Sequence, residues 1–237
     1  MPLRNILILT SCQLISATGA IIMVTLGGII GSKLATDPTL ATLPVSIMVL
    51  CVAATAIPAT VLMKRIGRRR GFSLASLSAM LATALAGVAL ATESFAVFIA
   101  AGATVGINMA FTQQYRYAAA ESVDPENAPR AISYVLLGAI GGALVGPELV
   151  KYGQFAVPAV QYLGTLLVLG CLYILQSVLF LSLGPLRGEG PEKDAQPTRP
   201  LTDVAKQPLF IVAVLGGATA YGVMTIIMVT LGGIIGS

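Results

Sequence analysis

Long apolar runs alternate with short polar turns along this chain, and six of the runs are each about long enough to cross a bilayer. A seventh apolar run follows a hydrophilic stretch. The predicted spans are Ile6–Gly31, Thr42–Met63, Phe72–Ala91, Phe95–Ala119, Ala131–Val150, Ala159–Leu183 and, after the hydrophilic stretch, Leu209–Ser237. β-Barrel strands would alternate apolar and polar residues at every second position, so these continuous runs predict an all-α polytopic membrane protein.

The same pattern divides the chain into three parts. Residues 1–183 hold the first six spans and predict a six-helix bundle. Residues 184–207 contain four prolines, three glycines and eight charged residues, which is typical of a flexible hydrophilic linker. Residues 208–237 hold the seventh span, and we expect it to begin a second, truncated half.

The cations are concentrated in one turn. Five of the fourteen Lys and Arg residues lie within Lys64–Arg70, between the second and third spans. Cytoplasmic loops are enriched in Lys and Arg, so we place this turn in the cytoplasm, and the other turns follow by alternation. The cations that then face the cytoplasm are Arg4, Lys64, Arg65, Arg68, Arg69, Arg70, Arg116, Arg130, Arg187, Lys193, Arg199 and Lys206. Only Lys33 and Lys151 lie outside, which predicts a cytoplasmic amino terminus, in a bacterial inner membrane.

Composition argues against other classes of protein. The chain is 56% apolar and 10% charged, whereas soluble domains carry about 25% charged residues. Its net charge of +4 does not indicate nucleic-acid binding, because the cations lie in turns between apolar spans. It has no histidine, and its three cysteines lie far apart within apolar spans. We therefore expect no metal, no cofactor and no enzyme activity.

Two predicted spans carry a stripe of polar residues on one helix face. On the first span the stripe comprises Thr10, Gln13 and Ser16. On the fourth it comprises Thr104, Asn108, Thr112 and Arg116, with Gln113 beside it. Such stripes within a bilayer face either a wet cavity or a neighbouring helix. The candidate cavity residues are Gln13, Asn108, Thr112, Gln113 and Arg116; the alternatives are hydrogen bonds between helices and, for Arg116, simple extension to the interface.

Glycines mark two helix faces that allow close packing. Gly102 and Gly106 form one pair on the fourth span. On the fifth span, Gly138, Gly142 and Gly146 are four residues apart, so another helix can approach closely there.

The turn between the second and third spans resembles a pattern of the major facilitator superfamily, Asp-Arg-x-Gly-Arg-Arg. The matching residues are Arg65, Gly67, Arg68 and Arg69, and Lys64 stands where the family usually has aspartate. The family's acid, proline and arginine after the fourth helix are matched by Glu121, Pro125 or Pro129, and Arg130. Its antiporter branch carries Gly-x-x-x-Gly-Pro in the fifth helix, as Gly142–Pro147 does here, although two glycines expected beyond Pro147 are missing. The segment Gln113–Glu121 resembles an efflux-like bacterial branch.

The resemblance implies the first half of a twelve-helix secondary transporter, plus a seventh helix. Such proteins move a small solute by alternating access, with the first and fourth helices lining the cavity. It implies efflux or antiport, with membrane lipid, a small solute and a missing carboxyl-terminal half as partners. Proton exchange stays open, and the chain alone is expected to be inactive. The alternative is a membrane protein that does not transport, either a structural bundle or a membrane enzyme.

Charge placement predicts a cluster on the cytoplasmic face. We expect Arg68 or Arg69 to pair with Glu121, and Arg130 to lie within reach of the same carboxylate. The resemblance implies that such contacts form a gate, closed when the transporter is open outward. The alternative is a set of solvated charges that never meet.

One twelve-residue sequence, IIMVTLGGIIGS, occurs at Ile21–Ser32 and again at Ile226–Ser237. The preceding residues differ completely. Perfect identity between unrelated flanks favours a grafted or misjoined end over an ancient duplication.

Overall fold

The computed structural model describes residues 2–158 and 160–184, together with residues 207, 211–212, 214–217, 219–220 and 223. The chain divides into two units, Met1–Glu189 and Gly190–Ser237. In the second unit, the described residues from 211 onward are helical. Nearly all of the predicted linker, and most of the predicted seventh span, lie outside the described residues.

The first unit is all-α, as the sequence predicts. Its helices are α1 (Pro2–Leu34), α2 (Leu43–Ile66), α3 (Arg68–Ala91), α4 (Phe95–Thr112), α5 (Tyr115–Glu121), α6 (Ala128–Gly153) and α7 (Leu163–Leu181). Six candidate membrane spans result, because α4 and α5 follow one another as parts of a single span, Phe95–Glu121. The described residues contain no strand.

The sequence predicts that Lys64–Arg70 forms a loop, and this prediction is wrong. α2 continues to Ile66 and α3 starts at Arg68, so the turn is the single residue Gly67. Gly67 has φ of 84°, a backbone conformation that glycine adopts without steric cost, and its N–H donates to the Met63 carbonyl at 3.0 Å. Lys and Arg are good helix formers, so the helices extend beyond the apolar stretch that the sequence marks.

The helices run alternately up and down. We call the end that carries Lys64–Arg70 the basic end and the opposite end the far end. At the basic end, the start of α1 meets the residues after α7, since Asn5 Oδ1 accepts the Gly184 N–H at 3.0 Å. At the far end, Lys33 Nζ donates to Gln161 Oε1 at 2.9 Å, which joins the end of α1 to the turn before α7.

The glycines of α6 form the contact with α1, as the sequence predicts. A Cβ atom added at Gly142 would lie 2.6 Å from both Ala17 Cβ and the Leu14 carbonyl oxygen. One added at Gly138 would collide with the Thr10 carbonyl oxygen. The backbones are therefore in direct contact along these turns.

The predicted Gly102 and Gly106 pair has the same role between α4 and α2. A Cβ at Gly102 would lie 2.6 Å from the Pro44 carbonyl oxygen, and one at Gly106 would collide with that of Met48. Beyond this contact α2 is largely uncovered: only 11% of its most apolar stretch is buried, against 56% for α1.

Candidate functional site

The fourth span is interrupted in its basic half, which the sequence did not predict. α4 ends at Thr112 and α5 begins at Tyr115. At the interruption, the Gln114 N–H donates to the Phe111 carbonyl at 2.9 Å, a bond to the third residue back that tightens the turn. Such tightened turns within helices often mark functional hinges.

Side chains at the interruption point in different directions. Gln114 Nε2 donates to Thr60 Oγ1 on α2 at 3.2 Å, and Tyr115 is fully buried in the bundle. Gln113 is exposed and Arg116 is half-buried. The Arg116 guanidinium donates to Gln113 Oε1, so these two predicted cavity residues lie together.

Asn108 lies on α4, about one helical turn before the interruption, and is almost completely buried, with 1% exposure. Among the residues that the structure describes, its Oδ1 atom has no hydrogen-bond partner. The neighbouring hydroxyls of the stripe are occupied, since Thr112 donates to the Asn108 carbonyl at 3.1 Å and Thr104 to the Ala100 carbonyl at 2.8 Å. Buried acceptors are almost always paired. Among the described residues, two stripe residues have a buried side-chain oxygen that is free to accept from a ligand, Asn108 and, on the first span, Thr10.

Gln13 is half-buried at the contact between α1 and α6. Its Cβ lies 3.3 Å from the position of a Cβ added at Gly138. Within the described part of the chain, no hydrogen bond joins Gln13 to the polar residues of the fourth span. The structure therefore brings Gln113 and Arg116 together and leaves Gln13 and Asn108 as separate groups.

A buried polar cluster of four residues, which we call the amide cluster, lies on the inner side of the interruption. It comprises Ser16, Ser76, Tyr115 and Gln176, one each from α1, α3, α5 and α7. Gln176 Oε1 accepts from Ser16 Oγ, and its Nε2 donates to Ser76 Oγ and to the Tyr115 hydroxyl, each at 3.2 Å. Ser16 belongs to the predicted stripe of the first span, whereas Gln176 was not predicted. The one available signal was an amide within the apolar run of α7.

The predicted contact between Arg68 and Glu121 is present at the basic end. Arg68 Nε donates to Glu121 Oε2 at 2.6 Å and Nη2 donates to Oε1 at 2.5 Å, a bidentate pair. It joins the start of α3 to the end of α5. Arg130 is exposed, and in the described residues no ion pair links it to Glu121. Its proposed part in this cluster stays a prediction.

Six apolar helices packed through glycine faces, with polar groups inside one interrupted span and a charge pair at its end, are the features of a polytopic membrane protein. The sequence profile of the Major Facilitator Superfamily matches residues 8–236, so the chain belongs to this family. It is also 36% identical over 228 residues to the riboflavin transporter RfnT of the bacterium Brucella anthropi. The aligned residues cover 95% of this chain and 57% of that relative. The chain thus spans little more than half the length of that relative.

Proposed function

We propose that this chain forms part of a secondary transporter that moves riboflavin, or a similar neutral heterocycle, by alternating access. The observation that carries the proposal is the 36% identity, spread over 95% of the chain, to a protein named as a riboflavin transporter. Identity over nearly the full chain covers both the interrupted span and the packing faces around it.

The chemistry of the polar groups suits such a solute. Riboflavin is uncharged; its ring system offers an imide N–H donor and carbonyl acceptors, and its side chain offers hydroxyls. The unpaired Asn108 Oδ1 can accept from an N–H or O–H. The guanidinium of Arg116 and the amide of Gln113 can donate to carbonyls. We expect Gln13 and Thr112 to line the same cavity in the complete transporter.

The placement of acidic groups also favours a neutral solute over a cation. Within the described spans, Glu121 lies at the end of α5 and Glu148 lies near the far end of α6. A cationic solute would be expected to meet a carboxylate deeper in the membrane.

A second candidate is antiport-driven efflux, for which the specific observation is the Gly142–Pro147 pattern. Pro147 lies within α6, directly after the last glycine that contacts α1. A proline there removes one helix hydrogen bond and permits bending, so Gly138, Gly142, Gly146 and Pro147 would together form a bending segment.

Uptake experiments test the proposed substrate. The complete gene that encodes this chain is expressed in a riboflavin-requiring bacterium that lacks its own riboflavin transporter. We expect growth on low riboflavin and saturable uptake of labelled riboflavin. No uptake above that of the empty vector would refute riboflavin as an import substrate. Faster loss of preloaded riboflavin, abolished when the proton gradient is dissipated, would instead favour antiport.

We predict that the basic end faces the cytoplasm. Lys33→Cys should react with an impermeant maleimide in intact cells, because Lys33 is exposed at the far end. Arg69→Cys should react only after the membrane is permeabilised. Both variants are made in a background in which Cys12, Cys51 and Cys171 are replaced by alanine. The opposite labelling pattern would reverse the orientation.

We predict that Glu121→Gln shifts the transporter toward the state that is open to the cytoplasm. The substitution removes the charge that Arg68 contacts. A partly exposed pair contributes about 0.2–1 kcal/mol, which changes a two-state ratio by up to about fivefold. Lys64, in place of the usual aspartate, should already weaken this gate. Labelling of Gln113→Cys from the cytoplasmic side should rise accordingly.

Glu126→Gln is the matched control for this experiment. Glu126 is an exposed acid in the turn that follows Glu121, and its loss should leave labelling unchanged. An equal response of the two variants would assign the change to general charge effects and remove Glu121 from the gate.

A further inference from the structure

The amide cluster is in direct contact with the residue that restarts the fourth span. Tyr115 is the first residue of α5, and its hydroxyl accepts from Gln176 Nε2 at 3.2 Å. Gln176 is in turn held by Ser16 and Ser76, so its amide cannot turn without breaking two further hydrogen bonds. Three spans, α1, α3 and α7, therefore fix the position of one hydroxyl on α5.

The ring of Tyr115 is held as well. It packs edge-on against Phe72 of α3 with centroids 4.8 Å apart, and against Phe180 of α7 at 5.3 Å. Ring packing and the hydroxyl bond together determine how α5 is rotated about its own axis.

This rotation matters because α5 does not continue α4 without a break. Gln114 contacts α2 and Tyr115 contacts α7, so the interruption is held from two sides. Consecutive helical residues are about 100° apart around the axis. With Tyr115 directed inward, the next residue, Arg116, points about 100° away from it around α5, consistent with its half-buried position, and Gln113, before the interruption, is exposed.

We propose that Gln176 is a positioning residue of the transporter: through the Tyr115 hydroxyl it sets the direction in which α5 presents Arg116, together with Gln113, to the solute. Gln176 does not touch the solute. The consequence for transport rests on the proposed function, whereas the consequence for the orientation of α5 does not.

Cysteine labelling tests the orientation. In the complete gene product, freed of native cysteines, Arg116→Cys reports the access of this position to a water-soluble maleimide. Tyr115→Phe removes only the hydroxyl, and Gln176→Met removes the amide while nearly keeping the volume. Tyr115→Phe should lower the labelling rate about threefold, as expected for the loss of one buried hydrogen bond. Gln176→Met removes three hydrogen bonds and should lower the rate at least as much. The double variant should be no slower than Gln176→Met, because the contact that Tyr115→Phe removes is already absent there.

Tyr173→Phe is the matched control. Tyr173 is a buried tyrosine of α7, three residues before Gln176 and outside the amide cluster. Its variant should keep the parental labelling rate and the same gel-filtration profile. Unchanged labelling in Tyr115→Phe and Gln176→Met would overturn the proposal, and so would an equal fall in Tyr173→Phe, since that would indicate general loosening.

Uptake separates this inference from the proposed function. With Arg116 intact, Tyr115→Phe should raise the KM for riboflavin about threefold and leave the maximal rate unchanged, since only binding groups are displaced. If the parent protein does not carry riboflavin, the proposed substrate is wrong while the labelling result stands. If the parent carries riboflavin but the KM does not change, the positioning role is wrong while the proposed function stands.

Discussion

Asn108→Leu is expected to raise the stability of the bundle and to weaken the binding of the solute by the transporter. In the structure, Asn108 Oδ1 is buried within a membrane span without a partner. An unpaired buried polar group costs about 1–3 kcal/mol, and leucine has nearly the same volume without this cost. We therefore expect the free energy of unfolding to rise by about 1 kcal/mol. Loss of the unpaired Asn108 acceptor should raise the KM for riboflavin about tenfold, equivalent to about 1.4 kcal/mol.

Asn5→Leu is the matched comparison. Asn5 is also buried, at 4% exposure, but its Oδ1 accepts the Gly184 N–H. The same substitution there should lower stability by about 1 kcal/mol, because it leaves that N–H unpaired. Stability is measured by thermal unfolding in detergent, followed by circular dichroism. If Asn108→Leu also destabilises the protein and leaves uptake intact, Asn108 has a structural role and is not part of the solute site.

Gly138→Ala and Gly142→Ala are each expected to destabilise the first unit by about 1–3 kcal/mol, the usual cost of overpacking. The new methyl group at Gly142 would lie 2.6 Å from Ala17 Cβ and from the Leu14 carbonyl oxygen, and the one at Gly138 would collide with a backbone oxygen. Backbone atoms cannot rotate away, so α1 and α6 must separate. The measurement is the unfolding midpoint in detergent and the yield of monodisperse protein.

Gly141→Ala is the control for this pair, because Gly141 belongs to the same helix. A methyl group there would meet only the end of the Leu14 side chain, at 3.0 Å, which can change rotamer. We expect a loss of less than about 1 kcal/mol. Equal losses at Gly141 and Gly142 would mean that the close backbone contact with α1 does not control these positions, since helix propensity alone favours alanine at both.

The number and order of the first six spans could be predicted because hydropathy and length report directly on which segments enter the bilayer. The ends of the helices could not. α1 extends to Leu34 where the apolar run predicts Gly31, and α6 begins at Ala128 where the run predicts Ala131. Hydropathy marks the edge of the membrane, whereas helix formation depends on backbone bonding that continues through Lys, Arg and Ala.

The interruption of the fourth span had no signal in the sequence, because it contains neither proline nor glycine. Its polar residues, Gln113 and Gln114, resemble a continuation of the polar stripe of this span. The hydrogen bond from Gln114 to Thr60 joins residues that are 54 positions apart in the chain. A single sequence cannot reveal such a contact.

The candidate site could be predicted in part. The stripe spacing placed Gln113 and Arg116 together, and charge placement predicted the pair of Arg68 and Glu121, because both follow from helix geometry and span order. The amide cluster was missed because Gln176 and its partners lie on different spans, and only packing brings them together.

α1 is so long that a small tilt of the helix displaces its two ends by several ångströms. Its 33 residues span about 50 Å at about 1.5 Å per residue, whereas the hydrocarbon core is about 30 Å thick. Tilting this helix by about ten degrees about its centre would move each end by about 4 Å, in opposite directions. Such a displacement exceeds the length of a hydrogen bond. Two contacts tie the ends of α1 to the segments that flank α7: Lys33 to Gln161 at one end and Asn5 to Gly184 at the other. They stay intact during such a tilt only if those flanking segments move with α1. The two helices, α1 and α7, would then move as one rigid body.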